Sequence, residues 1–139
     1  MSDHVEWKDT LKYHEGEKFW VCYSDEFNFE LSIQGGKGEI SQPHLALAEK
    51  ILINFEQTNQ LALERLYHTI PSLKDEKINV SSIHVFYDEY SVTAHPVNFM
   101  FTYEYENQYD SKGRYVAVDR YTVKFMEKFK PIAIEEWFA

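Results

Sequence analysis

The chain is poor in several residues and segments that mark common protein classes. Its 139 residues include a single cysteine, five glycines and four prolines. One thiol cannot form an internal disulfide, which fits a reducing compartment, and so little glycine and proline excludes a low-complexity chain. No apolar run is long enough to cross a bilayer, and the first residues lack the features of a secretion signal. We therefore expect one cytoplasmic domain spanning residues 1–139.

Positive charge is also scarce. Fourteen lysines and arginines face 23 aspartates and glutamates, so the net charge is −9 and the pI is about 5.1. Such a chain repels nucleic-acid phosphates and anionic membrane surfaces, and it shows no basic stripe. We expect neither nucleic acid nor membrane as a partner. The charge suits solubility or attraction of a basic protein.

Catalytic and cofactor motifs are missing as well. The glycines at 35, 36 and 38 do not have the spacing of a phosphate-binding loop, and no serine lies in a Gly-x-Ser-x-Gly turn. No two histidines share the helical spacing of a zinc site. We therefore expect no cofactor and no enzymatic activity. One alternative remains open, a small-ligand or enzymatic pocket lined by aromatic rings, with these candidate groups: Cys22, His84, Asp88 and His95, joined by Glu104 if the histidines form a metal or acid–base cluster.

Aromatic residues are abundant. Ten tyrosines, ten phenylalanines and three tryptophans make up 17% of the chain. This is more than one core of this size usually holds, so we expect some rings at the surface or in a groove, where tyrosine and tryptophan are tolerated.

The pattern of the first half predicts strands followed by helices. Residues 19–23 and 27–33 read as a β-hairpin, with an earlier strand over 7–13, because apolar and polar residues alternate. Ser41 is a plausible helix N-cap, and two apolar stripes at helical spacing follow it. The polar stretch 57–60 is either a loop between two helices or the exposed part of one long helix.

The second half predicts strands again. Residues 83–87, 98–105 and 132–137 alternate clearly, and 115–126 reads as a long strand with a bulge near Asp119–Arg120. Strands, then helices, then strands predict an α+β domain, in which one or two helices pack on one face of an antiparallel or mixed sheet.

Acidic and aromatic residues interleave around these later strands. If the strands pair, they bring carboxylates and phenol rings into one patch, and such rings anchor many protein interfaces. We predict the following partner-binding residues: Glu30, Asp88, Glu89, Tyr103, Glu104, Tyr105, Glu106, Tyr109 and Asp110.

In general style the whole chain resembles small acidic bacterial immunity proteins of polymorphic or contact-dependent growth-inhibition toxin systems. The resemblance rests on size, charge, element order and the closing strands 115–126 and 131–137. It implies a non-enzymatic inhibitor that binds a basic toxin, for example a nuclease, through an acidic, tyrosine-rich surface. A further alternative is a self-associating structural domain, expected to form a homodimer.

Overall fold

The protein is described by a computed structural model. The described residues are 7–16, 18–23, 27–36, 38–88, 97–106, 108–116, 118–126 and 129–138, with the backbone alone for 87–88, 118–119 and 137–138.

Seven strands form one mixed sheet in which the spatial order follows the chain order. The strands are β1 (Lys12–His14), β2 (Phe19–Val21), β3 (Glu30–Gln34), β4 (Ile78–Asp88), β5 (Val97–Tyr105), β6 (Val118–Met126) and β7 (Lys130–Phe138). Every neighbouring pair is antiparallel except β3 and β4, which are parallel. A parallel pair needs a crossover connection, and here two helices supply it. The predicted α+β class is confirmed.

The crossover is a pair of helices, α1 (Gln42–Ile53) and α2 (Phe55–Thr69), separated only by Asn54. The side-chain amide of Asn54 donates to the carbonyl of Lys50 at 3.0 Å, and the Thr58 hydroxyl donates to the carbonyl of Asn54 at 2.9 Å. The break therefore lies at Asn54, and the stretch 57–60 is helical. Of the two alternatives left open for this stretch, the loop is wrong, and the helix that contains it begins after Asn54.

The helices cover one side of the sheet. Ser41 is the N-cap of α1, as predicted, and Ala48 and Ile51 of α1 are fully buried, as are Ala62 and Leu66 of α2. Because side chains alternate along a strand, this covered face receives every second residue of the central strands. None of the helices in the described part of the chain has the length and apolar character needed to cross a membrane.

Stacked phenylalanine rings run through the core. Phe27 stacks on Phe29 with centroids 5.2 Å apart, Phe29 on Phe55 at 5.3 Å, and Phe55 on Phe101 at 6.0 Å. Phe101 then contacts Phe125 at 5.6 Å. Much of the aromatic surplus is thus inside the molecule, where ring pairs add to the burial of apolar area.

Two local predictions have different outcomes. The strand predicted over 7–13 is mostly wrong, because Trp7–Thr10 is a 3₁₀ helix in which the Thr10 hydroxyl donates to the Trp7 carbonyl at 2.7 Å. The bulge predicted near Arg120 is confirmed by a register shift between Val118 and Arg120.

The glycine run after β3 has a packing role. A Cβ atom at Gly35 would lie 2.9 Å from both the Ile40 Cα and the Trp20 ring, so only glycine fits. The Trp20 ring nitrogen also donates to the Gly36 carbonyl at 3.0 Å. These glycines let the chain turn closely from β3 into α1.

Candidate binding site

The nine residues predicted to bind a partner do not form one surface. Tyr103 is in the core, while Glu30 and Glu104 lie on the uncovered face of the sheet. Tyr105, Glu106, Tyr109 and Asp110 lie together at the end of β5. Asp88 ends β4 and its side chain lies outside the described part, as does the whole of Glu89.

Tyr103 is the clear correction among them. Its side chain is 1% exposed, and its hydroxyl donates to Oδ1 of Asn59 at 2.5 Å. Burial, and secondarily the neighbouring Tyr67 phenol, raise the pKa of Tyr103 far above its ordinary value. Tyr103 and Glu104 are adjacent on β5, so their side chains point to opposite faces and cannot share a patch.

The uncovered face contains a polar cleft of about 470 Å³. Glu30 and Glu104 are at its margins, and its floor is rich in hydroxyl groups: Ser32, Ser82, Thr102 and Thr122. Thr102 and Thr122 share a hydrogen bond of 3.1 Å. The carboxylates of Glu30 and Glu104 form no hydrogen bond or ion pair with other residues of the described ranges.

His84 is the ionisable group at the centre of the polar cleft. Its ring lies between Phe19 and Phe86, at centroid distances of 4.3 and 4.8 Å, and its Nδ1 is 2.5 Å from the Ser32 hydroxyl. Burial lowers the pKa of His84 to about 4. An imidazole this weakly basic is a poor general base near neutral pH, so proximity alone does not activate Ser32.

Of the other described residues of the alternative enzymatic site, Glu104 lines the same cleft as His84, whereas Cys22 does not. Cys22 packs against the core side, with its sulfur 3.3 Å from the Thr10 hydroxyl. His95 and the Asp88 side chain lie outside the described residues. Across those that are described, no group of three or more histidine, cysteine, aspartate or glutamate side chains is placed to hold a metal ion.

Residues 108–116 form what we call the tyrosine hairpin. Tyr109 and Tyr115 pair as an antiparallel bridge, and the Asp110 amide donates to the Arg114 carbonyl at 2.9 Å. The Gly113 amide closes a turn onto the Asp110 carbonyl at 2.9 Å, and Gly113 has a positive φ of 76°. A tight turn followed by a left-handed glycine is a common hairpin connection, and aspartate favours its first position.

Two carboxylates fix the tyrosine hairpin. Asp110 accepts hydrogen bonds from the backbone amides of Lys112 and Arg114, each at 2.9 Å, and from the Arg114 guanidinium at 3.0 Å. The backbone N–H of Arg114 is the largest cause that lowers the pKa of Asp110. Glu76 accepts from the Ser111 amide at 2.9 Å and from its hydroxyl at 3.0 Å. The loop is therefore tied to the segment before β4.

This arrangement presents two aromatic rings to solvent. Tyr109 is 57% exposed and Tyr115 is 63% exposed, and their rings meet edge to face at 6.3 Å. Beside them, Tyr105 and Tyr109 line a depression of about 240 Å³ together with Asp75, Glu76, Lys77, Asp110 and Ser111. Three of the predicted binding residues, Tyr105, Tyr109 and Asp110, therefore line this depression, and Glu106 directly follows Tyr105 in the chain.

The charge of this surface differs from the prediction. Glu106 lies 4.0 Å from Lys77, and Asp110 pairs with Arg114. Exposed Lys112 lies in the tyrosine hairpin itself, and exposed Lys74 lies in the segment before β4. The region around the tyrosine hairpin is aromatic and of mixed charge, rather than purely acidic.

Comparisons with known proteins found no match, so a role for this protein has to be argued from the geometry described above. The chain matches no protein-family model, no curated protein and no solved structure.

Proposed function

We propose that this protein is a non-enzymatic binding domain that holds a protein partner through the tyrosine hairpin. One observation supports this most directly: Tyr109 and Tyr115 are both more than half exposed, on a loop fixed by Asp110 and Glu76. Tyrosine is enriched among the residues that dominate interface energetics. A loop already held in one conformation loses little entropy on binding, so its contacts contribute more to affinity.

The partner is expected to be basic. The net charge of −9 attracts a positively charged protein over a distance and speeds encounter, although the hairpin itself is of mixed charge. Glu30 and Glu104 at the polar cleft offer a second, separate contact area, which is of mixed charge because Arg120 also lines it. In its most specific form, the proposal is a cytoplasmic bacterial immunity protein that neutralises a cognate toxin, for example a nuclease.

The test is co-expression with the product of the neighbouring upstream gene, followed by growth measurements and binding kinetics. We expect the parent protein to protect the cells and form a tight complex. The double variant Tyr109→Ala, Tyr115→Ala should weaken binding by at least about 30-fold, the equivalent of losing one hot-spot residue of about 2 kcal/mol. The association rate should fall steeply as salt is added.

Tyr23→Ala is the matched control, since Tyr23 is 50% exposed and lies outside the tyrosine hairpin. It should bind as the parent does. Equal affinities for the double variant and the parent would overturn the hairpin assignment. If the purified protein is instead a dimer and the double variant is a monomer, the result would support the alternative that the protein is a self-associating structural domain.

A further inference from the structure

A groove separate from the tyrosine hairpin lies where the α1–α2 junction meets the end of the sheet. Its volume is about 800 Å³, within the range of small-molecule sites. Phe27, Phe29 and Phe55 line it with partly exposed rings that stack at interplanar angles of 14° and 19°. Ile53, which is 81% exposed, extends the apolar surface at the groove. We call this site the aromatic groove.

Its polar groups define which ligands fit. Among the described residues that line the aromatic groove, Glu56 is the only charged one, and its carboxylate makes no ion pair or hydrogen bond within the described part of the chain. Asn59 accepts the Tyr103 hydroxyl at Oδ1, while its amide nitrogen has no hydrogen-bond partner among the same residues. The described lining contains no lysine, arginine or histidine.

From this geometry we propose that the aromatic groove binds small aromatic amines. The flat, apolar part of such a ligand packs against Ile53 and the exposed edges of the Phe29 and Phe55 rings, whose faces already stack on neighbouring rings. Its ammonium group meets the carboxylate of Glu56, for which the described lining of the groove supplies no cation. An anionic ligand would face the same carboxylate without any compensating positive charge.

The charge of the ligand can be tested apart from its shape with three indoles: tryptamine, the neutral alcohol tryptophol, and indole-3-propionate. We expect nuclear magnetic resonance titrations to show weak binding of tryptamine, with a Kd on the order of 1 mM for a ligand of this size. Tryptophol should bind about twofold to fivefold more weakly, the range for a solvent-exposed ion pair, and the propionate more weakly still. The Asn59 side-chain amide signals should shift upon binding.

Matched variants localise the effect. Glu56→Gln should reduce the preference for tryptamine over tryptophol to about one, because it removes the carboxylate and keeps the shape. Glu64→Gln should leave the preference intact, since Glu64 is also an exposed α2 residue but does not line the aromatic groove. Phe55→Leu should weaken tryptamine and tryptophol alike.

Four outcomes would overturn this proposal: no binding of tryptamine, equal or tighter binding of the propionate, an unchanged preference in Glu56→Gln, or binding that leaves the Asn59 signals in place. The proposal does not depend on the partner-binding role. The variant Tyr109→Ala, Tyr115→Ala should bind tryptamine as the parent does, so failure at one site leaves the other intact.

Discussion

Tyr103 and Tyr109 are six residues apart in the chain and have opposite environments. Tyr103 is 1% exposed and its hydroxyl has an internal partner in Asn59, whereas Tyr109 is 57% exposed at the start of the hairpin turn. On a strand, the position of a residue decides which face receives it. On the hairpin, the turn directs the rings outward. Residue type alone therefore does not separate a core tyrosine from a binding tyrosine.

The largest expected effect compares the two residues directly. Tyr103→Ala should lower the free energy of unfolding by about 3 to 5 kcal/mol, because it leaves a cavity beside Phe101 and deprives Asn59 of its partner. Tyr109→Ala should change the same quantity by less than about 0.5 kcal/mol. Urea denaturation of both variants measures the difference.

Should Tyr103→Ala fail to fold, Tyr103→Phe keeps the ring and removes only the hydroxyl. It should cost about 1 to 2 kcal/mol, the loss of one buried hydrogen bond. Comparable losses at Tyr103 and Tyr109 would contradict the distinction between the two environments.

An intermediate effect is expected at His84, which is half-buried on the uncovered face. Its pKa in the folded protein is about 4, against 6.5 in the unfolded chain, so the unfolded chain takes up the proton first as the pH falls. The contribution of His84 to the free energy of unfolding is fully present above pH 6.5. It declines as the pH falls to about 4 and stays constant below that pH. The decline amounts to at most about 3 kcal/mol.

His84→Gln should flatten the dependence of unfolding free energy on pH between 6.5 and 4, even if it lowers stability overall through lost ring contacts. Burial also lowers the pKa of His44, so His44→Gln is the comparison and should flatten the curve less. An unaltered slope in His84→Gln would show that its imidazole is not shielded from solvent in the fold.

The smallest effect is local to the tyrosine hairpin. The hydrogen bonds that Asp110 accepts lower its pKa below the ordinary value. They therefore stabilise the hairpin fully when the pH is above the ordinary carboxyl pKa, and this stabilisation is lost as the pH falls through the lowered pKa of Asp110. Asp110→Asn should loosen residues 110–114 at neutral pH without shifting global unfolding. Amide exchange at Lys112 and Arg114 measures this, and Asp75→Asn serves as control. Unchanged exchange would contradict the role of Asp110.

Much of the fold could be predicted from the sequence because alternation and caps are local signals. The strand at 98–105, the Ser41 cap and the bulge near Arg120 all follow from residues a few positions apart. The break at Asn54 was missed, since asparagine occurs inside helices as well as at their ends, and the hydrogen bond from its side chain to the Lys50 carbonyl is not visible in the sequence. The parallel pairing of β3 with β4 depends on contacts far apart in the chain.

The binding site was predicted less well, although some signals were present. Phe99, Phe101 and Tyr103 alternate on one apolar face, which already indicated that Tyr103 belongs to the core. The sequence from Asp110 to Gly113 has the residues that a tight hairpin turn requires, so the position of the exposed tyrosines could have been predicted from it. The pairing of Glu76 with Ser111 could not, because 35 residues separate the two.

The parallel β3–β4 contact has a consequence for how the chain folds. Strands β4 to β7 form successive antiparallel pairs between chain neighbours, so this half can assemble early. Ser32 and His84 are 52 positions apart and meet only after the chain between them has closed a loop, which makes this contact entropically late. Docking of strands β1 to β3 onto the sheet already formed by β4 to β7 should therefore limit the refolding rate.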